Sequence, residues 1–353
     1  MGTHDRSADE YYAQLDQFEK RCIHLVKTGQ PYLAVILCHE LYRYTYPVEP
    51  YTDFTHDDPV PFMNRHIQSL MNLADTFPAA VRPYTFAMKS EEEAGRTLEK
   101  ETSDLYSGLW KNFNRETLTE ESLKLVKNRI PASVIESDIK GARVLDMGCG
   151  SGRYSIALSL LGAREVVAVD YQAKAFKAAE EYCQNNGLMV KFQETNVLDL
   201  PFEDASFDFV FSNGVLHHTS SIEKGISELT RVLKTPGKAF LYLYGSGGIF
   251  WTTRDVMRKI FRHIPLDYTK EVLNIIGMPK NRFIFCDTWY VPVETHTKEK
   301  ELHALLSRLG FTFEKVISSN AFDIDYPVHE SRIPQAKEMW GEGDHRYILM
   351  KNR

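Results

Sequence analysis

The chain has 353 residues, the length of two ordinary domains or of one large domain with additions. Hydrophobic residues make up 43% and charged residues 25%, close to soluble globular averages, which excludes disordered, collagen-like and low-complexity classes. The 42 Lys+Arg against 48 Asp+Glu give a net charge of -6, without the basic excess expected of a nucleic-acid binder.

In chain order, the opening Met1–Arg6 is polar and mixed in charge, which is not the pattern of a signal peptide. Arg6 stands where a myristoylation signal needs Ser or Thr. No run approaches the roughly 20 apolar residues that span a bilayer, so a cytoplasmic protein without membrane contact is expected. Tyr11 to Lys27, Pro31 to Tyr44 and Met63 to Phe77 carry apolar residues at helical spacing. Pro31 sits where a first helical turn accepts proline. Residues 1–105 are therefore expected to form an N-terminal helical extension.

From Gly141 the texture changes to short apolar strands alternating with helices. Strands are expected at Arg143 to Met147, Glu165 to Asp170, Met189 to Gln193, Phe207 to Ser212 and Lys238 to Tyr244. Helices are expected at Arg153 to Leu161, Ala173 to Asn186 and Ser221 to Leu233. Gly162 and Gly187 stand just past two of these helices, where C-terminal glycines belong. Such alternation predicts an α/β fold, a parallel sheet covered on both faces, with all strand C-termini along one ligand-binding edge. Residues 106–245 form this core. Residues 246–297, helical and aromatic, read as an inserted cap, and 298–353 return with a helix and two strands that complete the sheet.

The chemistry concentrates in Asp146-Met147-Gly148-Cys149-Gly150-Ser151-Gly152-Arg153, where an apolar strand enters a glycine loop and then a helix. Glycines there let a ligand approach bare amides at a helix N-terminus. Arg153 occupies the third glycine position of the G-x-G-x-x-G dinucleotide pattern, which argues against NAD. Five scattered cysteines show no C-x-x-C pair, so neither a disulfide framework nor a metal site is expected.

The loop resembles the first motif of class I S-adenosylmethionine (SAM) dependent methyltransferases, and later segments resemble the others in order. Val166–Asp170 is similar to the second motif, Asn196–Phe202 to the adenine-side loop, Phe207–His218 to the fourth-strand motif and Arg231–Gly237 to the turn before strand five. The resemblance spans about Leu109 to Tyr244. It implies a Rossmann-like seven-stranded sheet with SAM as cofactor. By the same resemblance Asp170 accepts both ribose hydroxyls, Asn196 and Val197 meet the adenine, and the carbonyls of Gly148 and Ser212 meet the ammonium. Asp146 supports the loop formed by Gly148, Gly150 and Gly152. His217 or His218, just after the fourth strand, is expected as a base for a protic acceptor, against a packing role of about equal weight.

Trp110, Tyr242, Tyr244, Trp289 and Tyr290 are the expected substrate-side aromatics, with Asp287, Glu294 and His296 close in sequence. An aromatic box suits a cationic centre, and ordinary cap packing is the competing role. The expected activity is methyl transfer to a small-molecule acceptor. Cyclisation of SAM, transfer of its aminocarboxypropyl arm, or a SAM-binding regulator without turnover are the alternatives.

Overall fold

The computed structural model describes residues 4–45, 59–76, 115–278, 286–318, 323–325 and 336–352. Trp110, with Tyr106 and Phe113 beside it, lies outside the described residues. These divide into two compact units, the first assembled from 1–95, 246–290 and 324–343 and the second from 96–245, 291–323 and 344–353.

The first unit is helical. Helix His4–Lys27 buries Tyr11, Leu15, Phe18, Cys22 and Leu25, spaced alternately by four and three residues, so one stripe meets the core. Helices Pro31–Arg43 and Pro59–Thr76 continue the unit, as the periodicity predicts. The expected extension and the first part of the expected cap fall together here. Tyr11 shares a 2.8 Å hydrogen bond with Thr253 of helix Gly248–Phe261, and Trp340 Nε1 donates to the Thr45 carbonyl at 2.9 Å.

The second unit holds a seven-stranded sheet, ordered β3-β2-β1-β4-β5-β7-β6. The strands are β1 (Arg143–Met147), β2 (Glu165–Asp170), β3 (Val190–Glu194), β4 (Phe207–Asn213), β5 (Leu233–Tyr244), β6 (Phe311–Lys315) and β7 (Asp344–Lys351). The first five pair in parallel, and β7 runs antiparallel between β5 and β6. The five alternating strands are parallel, as expected, the two C-terminal strands complete the sheet with β7 antiparallel, and β5 starts five residues earlier than the sequence pattern indicates. Strand alternation sends Leu145, Met147, Val210 and Leu241 to one face, where helices Ile222–Val232 and Glu299–Arg308 pack. Val144, Phe209, Phe211 and Phe240 go to the other, under helices Arg115–Arg129 and Arg153–Leu160. The chain winds outward from β1 through β2 and β3, then returns to place β4 on β1's other side. That reversal opens a crevice at the C-terminal ends of β1 and β4, where open α/β sheets bind ligands.

A buried ionic cluster braces this edge. Arg129 donates to Asp323 at 2.9 Å and to the Asn213 side-chain oxygen at 3.1 Å. Arg346 lies 3.1 Å from the same Asp323 and 2.7 Å from Asp344, with its guanidinium 4.3 Å from the Tyr242 ring centre. Burial pushes the Asp323 carboxyl up, but Arg346 and Arg129 outweigh it and hold the group below the usual carboxylate range. Breaking a buried pair by removing one partner costs about 3–5 kcal/mol. Arg346→Leu should therefore lower stability by an amount of that order in chemical denaturation, and a loss under 1 kcal/mol would deny the cluster its bracing role.

Candidate active site at the C-terminal edge of the sheet

The three loop glycines all have left-handed backbone, with φ of +88° at Gly148, +52° at Gly150 and +77° at Gly152. Their roles differ. A Cβ on Gly148 would meet the Val215 side chain at 2.4 Å, and one on Gly152 would meet Ala179 at 2.6 Å and Phe192 at 2.8 Å. These two are required by the protein's own packing. A Cβ on Gly150 would meet nothing within 4 Å, so only this glycine borders open space. The loop is held by Gly148 and Cys149 N–H groups donating to the Val169 carbonyl at 2.9 and 2.8 Å. Gly150 N–H donates to an Asp170 carboxylate oxygen at 2.8 Å. The acid expected at the ribose thus also ties the end of β2 to the loop after β1.

Asp146 is buried and accepts the Ser155 hydroxyl at 2.6 Å, which joins the strand to the helix after the loop. Burial pushes its carboxyl up to about 7; the Ser155 hydrogen bond opposes this and the charge of Asp170 adds to it. Asn196 uses its side-chain oxygen to accept Leu198 N–H at 2.9 Å, closing the turn that presents Val197. Ser212 is fully buried on β4, and its hydroxyl has no partner among the described residues. Gly150's open side and the acid beside it fit a ligand that carries hydroxyls and positive charge.

The other half of the edge belongs to β4, β5 and β7. His217 is fully buried and stacks on Tyr244 with ring centres 3.7 Å apart. His218 Nδ1 lies 2.8 Å from the Val293 carbonyl. Tyr242 lies beneath the guanidinium of Arg346, and burial pushes its phenol up. Tyr154, on the helix after the glycine loop, is hydrogen-bonded to Asn213. Burial raises its phenol, and the guanidiniums of Arg153 and Arg129 outweigh that and draw it below the ordinary value. Sequence reasoning named neither Tyr154 nor the Arg129–Asp323–Arg346 cluster, whose members lie up to 194 residues apart in one bond.

Trp289 and Tyr290 belong to the helical unit. Trp289 stacks on Phe261 at 4.3 Å, and the Tyr290 hydroxyl shares a hydrogen bond with Thr269 and donates to the Ile264 carbonyl. Both side chains have internal partners there. All five cysteines are free and buried, and no metal-binding group exists among the described residues.

Residues 145–241 match the family described as a methyltransferase domain. Over those residues the chain is similar to a methyltransferase domain. The uncharacterized methyltransferase YcgJ of Bacillus subtilis is 36% identical over 100 residues, covering 28% of this chain and 39% of that protein. A putative methyltransferase of Encephalitozoon cuniculi is 29% identical over 177 residues, covering 47% of this chain and 78% of that one. The ubiquinone biosynthesis O-methyltransferase of Xanthomonas oryzae is 37% identical over 105 residues, covering 30% and 44%. The match thus spans well under two thirds of the first and third of these relatives. No described helix is long and apolar enough to cross a membrane.

Two outcomes test this geometry. Gly150→Ala meets no protein atom, and its left-handed backbone costs a methyl side chain about 1–2 kcal/mol. The variant should therefore fold, yet its affinity for S-adenosylhomocysteine in calorimetry should fall at least about ten-fold. Undiminished affinity would place the cofactor elsewhere. Asp146 binds its proton more tightly folded than unfolded, so its contribution to stability is full below about pH 4 and is lost as pH rises towards 7. Asp146→Asn should remove a slope on the order of 1 kcal/mol per pH unit across that window. Parallel pH–stability curves for variant and wild type would contradict the raised carboxyl.

Proposed function

We propose that this protein transfers the methyl group of SAM to a small-molecule acceptor. The observation that carries the reading is Gly150, whose open side and Asp170-tethered amide leave one glycine of the loop bare for a ligand. The half of the edge beyond β4 supports a small acceptor. His217, His345 and Arg346 are fully buried there, so these basic residues are not offered to the phosphates of a polymer. The O-methyltransferase among the relatives is consistent with an acceptor of this kind.

In this reading Asp170 holds the ribose, Asn196 and Val197 hold the adenine, and the carbonyls of Gly148 and Ser212 hold the ammonium. Asp146 keeps the loop in shape through Ser155. Gly152 keeps the helix close to Phe192 and Ala179. Bound there, SAM would supply an electrophilic methyl group to a lone pair of the acceptor. The protein's task is alignment, exclusion of water and removal of a proton where the acceptor carries one. In this reading His217 or His218 receives it, with Tyr242 and Tyr244 beside them.

The test is incubation with trideuteromethyl-labelled SAM and a small-metabolite extract, followed by mass spectrometry. A labelled metabolite with matching S-adenosylhomocysteine is the expected result. A SAM fragment without labelled acceptor would replace methyl transfer with another SAM reaction, and no consumption would remove the enzymatic reading. Asp170→Ala serves as control. Losing hydrogen bonds to a charged group costs about 1.5–3 kcal/mol, which is roughly ten-fold or more in cofactor affinity.

A further inference from the structure

The helical unit holds two thiols that the methyl-transfer reading does not use. Cys22 lies on helix His4–Lys27 and Cys38 on helix Pro31–Arg43. Only Thr28, Gly29 and Gln30 connect these helices. Gln30 N–H donates to the Leu25 carbonyl at 2.8 Å, and Leu33 N–H donates to the Gln30 carbonyl at 3.1 Å, so the turn is tight at both ends. So short a connection folds two helices back on each other as an antiparallel hairpin. Cys22 and Cys38 stand at similar distances from the turn, and a rise of about 1.5 Å per residue sets them at nearly the same height.

Both side chains point inward. Cys22 continues the buried stripe of Leu15 and Phe18, and Cys38 is buried with Ala34 and Leu41. The hairpin brings the two sulfurs into contact. Burial, and then a hydrogen bond to the Cys22 thiol, keep the proton on Cys38 and push it well above the ordinary thiol value. A lone buried cysteine is inert, but this arrangement differs: once one sulfur is oxidised, a second is in place to close a disulfide.

The pair also borders the rings of the same unit. Tyr42 follows Cys38 by one helical turn. Its ring meets Trp289 edge-on at 5.4 Å, and its hydroxyl shares a 3.3 Å hydrogen bond with Thr288. Burial raises the Tyr290 phenol, its hydrogen bond with Thr269 opposes this, and Cys286 and Cys38 add to it. The helix that carries Cys38 thus supports the one that carries Trp289 and Tyr290.

We propose that Cys22 and Cys38 form a peroxide-sensitive staple, in which hydrogen peroxide converts the thiol pair into a disulfide that closes the hairpin and a thiol reductant reopens it. The Cys22 sulfur, as thiolate, attacks one peroxide oxygen. The O–O bond breaks, hydroxide leaves with the electron pair, and a sulfenic acid forms. The Cys38 sulfur then attacks the Cys22 sulfur, the S–O bond breaks, and the hydroxyl departs as water with the Cys38 proton. The hydroxide takes up the proton that Cys22 lost. Two thiols and one peroxide become one disulfide and two waters. Burial keeps charged or bulky reagents out, so the pair rests reduced and reacts as local opening of the hairpin admits a small neutral oxidant.

The staple is independent of what the other unit catalyses, and its test needs no substrate. The full chain is exposed to hydrogen peroxide, quenched with catalase, alkylated in guanidinium and digested for mass spectrometry. Two of the five cysteines should escape alkylation, with the Cys22 peptide joined to the Cys38 peptide, and dithiothreitol should return all five. The joined protein should unfold at higher guanidinium concentration than the reduced one, because the cross-link restricts the unfolded chain. Cys22→Ala should abolish both the link and this shift, and Cys286→Ala should keep both. If Cys22→Ala does not fold, the peptide map of the wild type decides. Five alkylated cysteines after prolonged exposure would overturn the proposal. So would separately oxygenated Cys22 and Cys38 without a link, or a link from Cys38 to Cys286. A joined protein that unfolds no later than the reduced one would show that the disulfide is no staple.

Discussion

Strand β1 is paired in parallel on both sides, with β2 through five residue pairs from Arg143 to Met147 and with β4 through Val144 to Asp146. Everything at the site depends on this. Parallel pairing brings three strand ends to one edge, and the reversal in strand order between β2 and β4 parts the loops that follow them. A strand so enclosed must be apolar on both faces, and Val144, Leu145 and Met147 are fully buried. The one polar residue it carries near its end, Asp146, is consequently a carboxyl held in a dry place.

The edge shows what burial does to an acid with and without a cationic partner. Asp146 has a hydroxyl for company and another carboxylate nearby, and burial raises it. Asp323 is also buried, yet two guanidiniums keep it ionised. The first arrangement suits a group whose charge a positively charged ligand can complement. The second is a brace: its charges cancel internally, and it fixes Asn213 and Tyr242 at the ends of β4 and β5. The two halves of the edge are thus tuned differently, the β1–β2 half negative and open at Gly150, the β4–β5–β7 half neutral and rich in rings.

Much of this was legible in the residues. The strands β1 and β2 fall where their apolar runs predict, because a buried parallel strand needs an unbroken run, which Gly148 ends after β1 and Asp170 ends at β2. The helices after them match within a residue for the same local reason, and Gly162 and Gly187 do adopt the left-handed backbone of helix ends. The glycine loop and the acid at the end of β2 are close in sequence to the elements that place them, so their motif carries them. The antiparallel β7 had no such signal, since strand direction depends on the path the chain takes between strands.

The sequence by itself determined the alternation of strands and helices and the glycine loop between the first strand and its helix, because each follows from periodicity and short motifs within a few residues. Only the tertiary structure separated the loop's glycines into two that pack and one that faces open space. It alone joined Arg129, Asp323 and Arg346 into one brace and drew 291–297 across the ends of β4 and β5. These depend on residues tens to hundreds of positions apart meeting within hydrogen-bond distance, and no local pattern records such a meeting.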